Sequence, residues 1–138
     1  MSQSFLGIDE LVEDEESLIL NLRPEFNRIC YNPVRAGIMH LLVSSRGLNH
    51  SMSVEDIAKK LGKRHSVIIY HLEKLRGWKI VSVVRTYKYG SKQKRSIWGL
   101  NLSHTDLIHD VYSHMTKTFY TMRDLEDMCS VNRNVRME

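Results

Sequence analysis

The chain has 138 residues, 42% of them hydrophobic and 26% charged, which suits one soluble domain with a modest core. No apolar run approaches the roughly 18 residues of a membrane-spanning helix, and the acidic opening MSQSFLGIDELVEDEE lacks the basic start of a secretory signal. Cys30 and Cys129 are too few for a disulfide scaffold and have no CxxC spacing, so a reducing, cytoplasmic setting is expected.

The net charge of +4 is unevenly spread. Residues 1–31 hold 2 Lys/Arg against 7 Asp/Glu, residues 32–101 hold 14 against 3, and residues 102–138 hold 4 against 6. The middle of the chain is therefore at +11 between acidic ends. Such asymmetry points to a polyanion-binding core flanked by segments with another purpose.

Residues 9–22 set Leu11, Val12, Leu18, Ile19 and Leu22 among acids, a helix of poor periodicity that Pro24 closes or restarts. Residues 25–30 suit another short helical turn. Asn32 is a good N-cap and Pro33 fits the first helical position. Ala36, Ile38, Met39, Leu41 and Leu42 then give a helix to about Ser45. SRGLNHS is loop-like. Ser53 followed by Asp56 resembles a capping box with the acid one methylene short, and it opens a short helix, Val54 to Leu61, that Gly62 ends. A new helix starts around Arg64 with Val67, Ile68, Leu72 and Leu75 facing inward, and Gly77 ends it.

Residues 80–89, IVSVVRTYKY, and 96–102, SIWGLNL, are strand-like, with GSKQKR between them as a basic hairpin tip. Residues 103–129 read as one helix of about 40 Å capped by Ser103. Ile108, Val111, Met115, Met122, Leu125 and Cys129 fall at a/d spacing along it, with Thr118 interrupting the seam. The tail after Ser130 is expected to fray.

Helix, helix, tight turn, helix and basic hairpin is the order of a winged helix-turn-helix, so the expected class is α+β, mainly α. Residues 1–31 form an acidic N-terminal helical extension, 32–102 the DNA-binding domain, and 103–138 a C-terminal dimerisation helix and tail. NPVRAGIMHLL, Asn32 to Leu42, resembles the NPxRxxIxxLL opening of the ArsR-type winged-helix family. SVEDIAKKLGKRHSVIIYHLEKLRGWKIV, Ser53 to Val81, is similar to that family's helix-turn-helix without a gap, and YHLEKLR is its most specific part. The resemblance covers residues 32–101. It implies a transcriptional regulator that binds double-stranded promoter or operator DNA as a homodimer, joined through its terminal helices. Compact single-domain regulators similar to this one are frequent in archaea, activators of archaellum operons among them, and the resemblance suggests that role.

Carried over by position, the recognition helix offers Lys63, Arg64, His65, Ser66, Val67, Ile69 and Tyr70 to DNA. Arg64 and His65 stand at its N-terminus, where the macrodipole favours a phosphate. Ser66 can bond a phosphate or base edge, and Val67 and Ile69 can meet a thymine methyl. Tyr70 is open between a phosphate hydrogen bond and packing, and His71 reads as a structural histidine. Arg85, Lys88, Lys92, Lys94 and Arg95 are the wing's electrostatic footprint. Ile108, Val111, Met115, Met122 and Leu125 are the expected dimerisation residues. Two departures stand out: Ile69 occupies a position usually polar, and Trp78-Lys79 replaces the common Ala-Gly before the first strand.

Residues 53–62 lack the family's cysteine pair for metal. On the last helix, His104, His109 and His114 are spaced by five and share no face, whereas Asp106, Asp110 and His114 do but make a weak site. No metal, cofactor, small-molecule ligand or membrane association is expected, and a Cys30–Cys129 thiol switch is a minor alternative. No nucleophile–base pair, glycine-rich phosphate loop or HExxH motif suggests an enzyme. The alternatives to a specific regulator are a winged-helix protein-interaction module and a nonspecific chromatin-type DNA-binding protein.

Overall fold

A computed structural model describes residues 14–45, 50–89 and 93–130. Helix α1, Glu15–Leu22, starts at Asp14, whose carboxylate accepts from the Ser17 N–H at 2.7 Å. Pro24 sits in a single 3-10 turn, Arg23–Glu25, and the chain continues as the short α2, Phe26–Cys30. Pro24 thus restarts the helix instead of ending it.

Helix α3, Pro33–Ser44, begins as its sequence dictates: the Asn32 carbonyl oxygen of the side chain accepts from Val34 N–H at 3.0 Å and Arg35 N–H at 3.1 Å. Every residue from Ala36 to Leu42 is buried, so α3 is enclosed on all sides and forms the centre of the domain. At Gly37, a Cβ would stand 2.8 Å from Leu61 Cδ2, which marks the close approach of the next helix.

Residues Ser51–Ser53 form a short strand, β1, in a stretch expected to be loop. Three residues with two serines carry no alternating apolar pattern, so only their pairing with a distant strand reveals them. Helix α4, Val54–Leu61, follows with the Ser53 hydroxyl accepting from Asp56 N–H at 3.1 Å. Gly62 ends it at φ 65°, a left-handed conformation that glycine adopts without strain.

Helix α5 spans His65–Gly77. The residue that stops it is Lys79, at φ 66°, and not Gly77, which is still helical. Lys79 N–H bonds Arg76 O at 2.9 Å and Ile80 N–H bonds Leu75 O at 3.0 Å, the paired closure of a Schellman motif. Ile80 and Leu75 are both fully buried, so landing one on the other fixes the left-handed residue two places beyond the glycine. A lysine held there costs roughly 1 kcal/mol or more against glycine. Lys79→Gly is therefore expected to stabilise the fold by about 1 kcal/mol, raising the Tm by a few degrees in a thermal melt.

Strands β2, Val81–Tyr89, and β3, Gln93–Leu100, form an antiparallel hairpin, and β1 pairs on the other side of β3. A bulge between Val83 and Arg85 shifts the register, so that Thr86 faces Ser96 and Lys88 faces Lys94. Trp98 and Leu100 turn into the core at the base of the sheet.

The last helical segment is two helices. A 3-10 turn, Leu102–His104, leads into α6, Thr105–Thr118, and the chain then breaks before α7, Met122–Met128. Thr121 and Asp124 make a reciprocal capping box at 3.0 Å each way, which starts a new helix where one continuous helix was expected. Ser103 is not a helix cap. The Leu107 N–H is satisfied at 2.8 Å by the carboxylate of Glu15, which reaches across from α1. Helices α1 and α2 lie against α6, and α7 lies against α3. No helix among the described residues is long and apolar enough to cross a membrane.

Candidate nucleic-acid interface

Helix α5 buries one side and shows the other. Ile68, Leu72 and Leu75 are fully buried and His71 nearly so, while Lys63, Arg64, His65, Ser66, Ile69 and Tyr70 are exposed and Val67 is half-buried. Positions 65, 66, 69 and 70 repeat at one-turn spacing, so the N-terminal half of the helix presents a single face. Ile69 is 42% and Tyr70 56% exposed on that face. Arg64 is the N-cap but provides no side-chain cap. Val67 N–H bonds Arg64 O at 3.1 Å, so the N–H groups of His65 and Ser66 and the positive end of the helix are left for an acceptor from outside.

A residue unassigned from sequence locks this helix in place. Arg35 of α3 donates to Ile29 O from Nε at 3.0 Å, to Arg28 O from Nη2 at 3.0 Å and to His71 Nδ1 from Nη1 at 3.2 Å. A guanidinium only donates, so His71 Nδ1 must be the bare acceptor of a neutral ring. Arg35 also lies 5.4 Å over the Trp78 ring. Trp78 thus packs under an arginine from α3. The signal in the sequence was an arginine standing at the start of an otherwise apolar helix.

His71 is held neutral: burial lowers its pKa, with Arg35 and Lys74 adding to the effect. His40, buried in α3, is lowered by burial against the opposing pull of Glu126. Both groups have folded values below the unfolded 6.5. Their contribution to stability is complete above that pH and is lost as the pH falls below it towards the folded values. The Tm is expected to be level from about pH 8 to 7 and to drop as pH falls from about 6.5 to 5, as read by thermal melts in constant ionic strength.

The wing carries its cations along the strands. Arg85, Lys88 and Lys94 are exposed, and Lys94 and Arg95 belong to β3, not to the hairpin tip. Lys92 lies outside the described residues. Lys88 and Lys94 are direct cross-strand partners, on the face of the sheet that buries Trp98 further down. Like charges so placed repel, and a bound polyanion relieves them. Arg95 differs from the others: it pairs with Glu55 of α4 at 2.7 Å and ties the wing to the helix-turn-helix. Among the described residues, Lys63, Arg64, Arg85, Lys88 and Lys94 are in no ion pair.

Four of the residues expected at a dimer seam are inside this chain. Ile108 is 8% exposed, Val111 and Met115 1%, and Leu125 0%. Their stripe is covered by α1, α2 and α3, because the break at Thr121 folds α7 back onto α3. Of the set only Met122 is exposed.

The last-helix acids and histidines have other partners. Asn101 Nδ2 donates to His104 Nδ1 at 2.8 Å, His114 Nε2 donates to Asn27 Oδ1 at 2.7 Å, and Asp110 lies 3.9 Å from Arg23 and 3.7 Å from His109. Among the described residues, no group of three or more His, Cys, Asp or Glu could hold a metal ion. Cys30 bonds Val111 O and Cys129 bonds Gly37 O. Burial pushes the two thiols up to about 12 and about 11, so neither is a thiolate near neutral pH.

A helix braced by α3 and α4, exposed along its N-terminal half and flanked by a basic hairpin, defines a winged helix-turn-helix protein. Residues 32–83 match the family described as bacterial regulatory protein, arsR family, and this segment is a helix-turn-helix domain of that family. The crystal structure of NadR in complex with 4-hydroxyphenylacetate is similar over 99% of this chain and 92% of that one, at 16% identity and a TM-score of 0.49. No curated protein sequence matches the chain. The matched segment holds the helix-turn-helix, the DNA-binding part of such regulators.

Proposed function

We propose that the protein is a sequence-specific transcriptional regulator that places the N-terminal half of α5 in a DNA major groove and the wing along the phosphate backbone or neighbouring minor groove. The observation that carries this reading is the exposed set Lys63, Arg64, His65, Ser66, Ile69 and Tyr70, continued by Arg85, Lys88 and Lys94. Arg64, His65 and the free first-turn N–H groups suit phosphate or a guanine edge, Ser66 either kind of contact, and Ile69 a thymine methyl. Arg95 acts as a brace through Glu55.

The regulator works as a two-fold homodimer that spaces its recognition helices by about 34 Å. With the α6–α7 stripe buried, the surface for a second copy is the ends of α2 and α6, where Tyr31 stacks on Phe119 at 4.7 Å, with the start of α7, where Met122 is exposed. The narrower reading, an archaeal operon regulator such as an archaellum activator, rests on the resemblance of residues 32–101 alone. Selection of bound duplexes from random DNA tests the proposal. A two-fold motif whose bases change when Ser66 or Ile69 is substituted supports it, and recovery of unselected sequence refutes it. The exposure of Ile69 favours one rival, a protein-interaction module, which predicts no DNA binding at all.

A further inference from the structure

A half-open pocket of about 530 Å³ lies among α3, β1, α4 and α7, with His40, Leu41, Met52, Lys60, Glu126 and Cys129 in its lining. Its size is that of small-molecule sites, roughly 300–1,000 Å³. No residue of α5 or of the wing lines it.

His40 is 5% exposed, and its Nδ1 lies 2.8 Å from the Tyr112 hydroxyl. The same hydroxyl also lies 3.7 Å from Met122 Sδ. Nδ1 is thus partnered, whereas Nε2 has no partner among the described residues. Tyr112 stands outside the lining, so the ring turns its other edge to the pocket. A buried ring nitrogen without a partner is costly unless something fills the site.

The two charged residues of the lining also lack ion-pair partners among the described residues. Lys60 comes from α4 and Glu126 from α7, and the two make no ion pair with each other across the pocket. Leu41, Met52 and the protonated Cys129 supply the apolar wall between them.

We propose that this pocket binds a small zwitterion of the α-amino acid class with an apolar side chain. Its carboxylate meets Lys60, its ammonium donates to Glu126, and its side chain rests on Leu41 and Met52. Such a ligand ties α4, the first helix of the helix-turn-helix, to α7. Any effect on DNA affinity rests on the function proposed above, whereas binding itself is read without DNA and stands apart from it.

The test is a thermal melt and titration calorimetry of the full chain with each common amino acid in turn. The best of them is then compared with its amide and its N-acetyl derivative. A binder at about 100 times its dissociation constant is expected to raise the Tm by on the order of 10 °C. Loss of either ligand charge, or Lys60→Met or Glu126→Gln, is expected to weaken binding about 10-fold or more. No amino acid raising the Tm overturns the proposal. So does binding that neither variant weakens, or binding of the amide and N-acetyl forms as tight as that of the parent.

Discussion

Replacing Arg85, Lys88 and Lys94 together with alanine is expected to weaken binding to every DNA sequence alike, on the order of 100-fold at about 0.1 M salt. The slope of log affinity against log salt should fall by roughly 1 for each cation removed from the phosphate row, about 3 in all. The reason lies in the hairpin. These three cations are exposed and unpaired, and two of them, Lys88 and Lys94, oppose one another across the strands. In the free protein that opposition is mildly unfavourable, and a phosphate row turns it to advantage. Arg95→Ala should behave differently, because its partner is Glu55 at 2.7 Å. Electrophoretic or fluorescence titrations at several salt concentrations separate the two cases. A triple variant with an unchanged slope removes the wing from the interface.

Arg35→Met is expected to destabilise the fold by about 3 kcal/mol, although the residue touches neither DNA nor the deepest core. Its guanidinium satisfies two carbonyls at the end of α2 and the ring nitrogen of His71, and stacks on Trp78. Methionine fills part of the volume but leaves those acceptors buried without donors. Hydrogen bonds from a charged donor contribute roughly 1.5–3 kcal/mol each, and water can replace part of that at the half-buried carbonyls. Denaturant unfolding reads the loss as a lower midpoint at unchanged m-value. Arg35→Lys should recover little, since an ammonium cannot span three acceptors in a plane. A loss below about 0.5 kcal/mol, the range of ordinary surface substitutions, would show that the α2–α3–α5 junction stands without Arg35.

Local chemistry made part of this fold readable. Asn32-Pro33, Ser53 and Gly62 each specify a helix end by atoms within three residues, and each end stands where its sequence puts it. The inward row of α5 was readable for the same reason, since Ile68, Leu72 and Leu75 recur at helical spacing. What escaped depends on partners distant in the chain. β1 exists only through its register with Ile97, Trp98 and Gly99. The stop of α5 is set by Ile80 landing on Leu75, which moves the left-handed residue from the nearby glycine to Lys79.

The C-terminal break was available in the sequence as Thr121 and Asp124 at capping-box spacing, but the a/d periodicity running through it hid the signal. That same periodicity also describes a stripe buried under a chain's own helices, and here Ile108, Val111, Met115 and Leu125 lie under α1, α2 and α3. Of the residues expected to face DNA, the exposed positions of α5 were legible because exposure is the complement of a clear inward row. Arg95 was not, because its pairing with Glu55 joins residues forty positions apart.

The most direct measurement compares the affinity of the purified chain for its selected duplex with that for random duplex of equal length, at two salt concentrations. A dimeric specific regulator binds the selected site about 10³-fold or more tightly than random DNA, and keeps that ratio while both affinities fall with salt. Equal affinities for the two duplexes, or no binding to either, would contradict sequence-specific regulation through α5 and the wing.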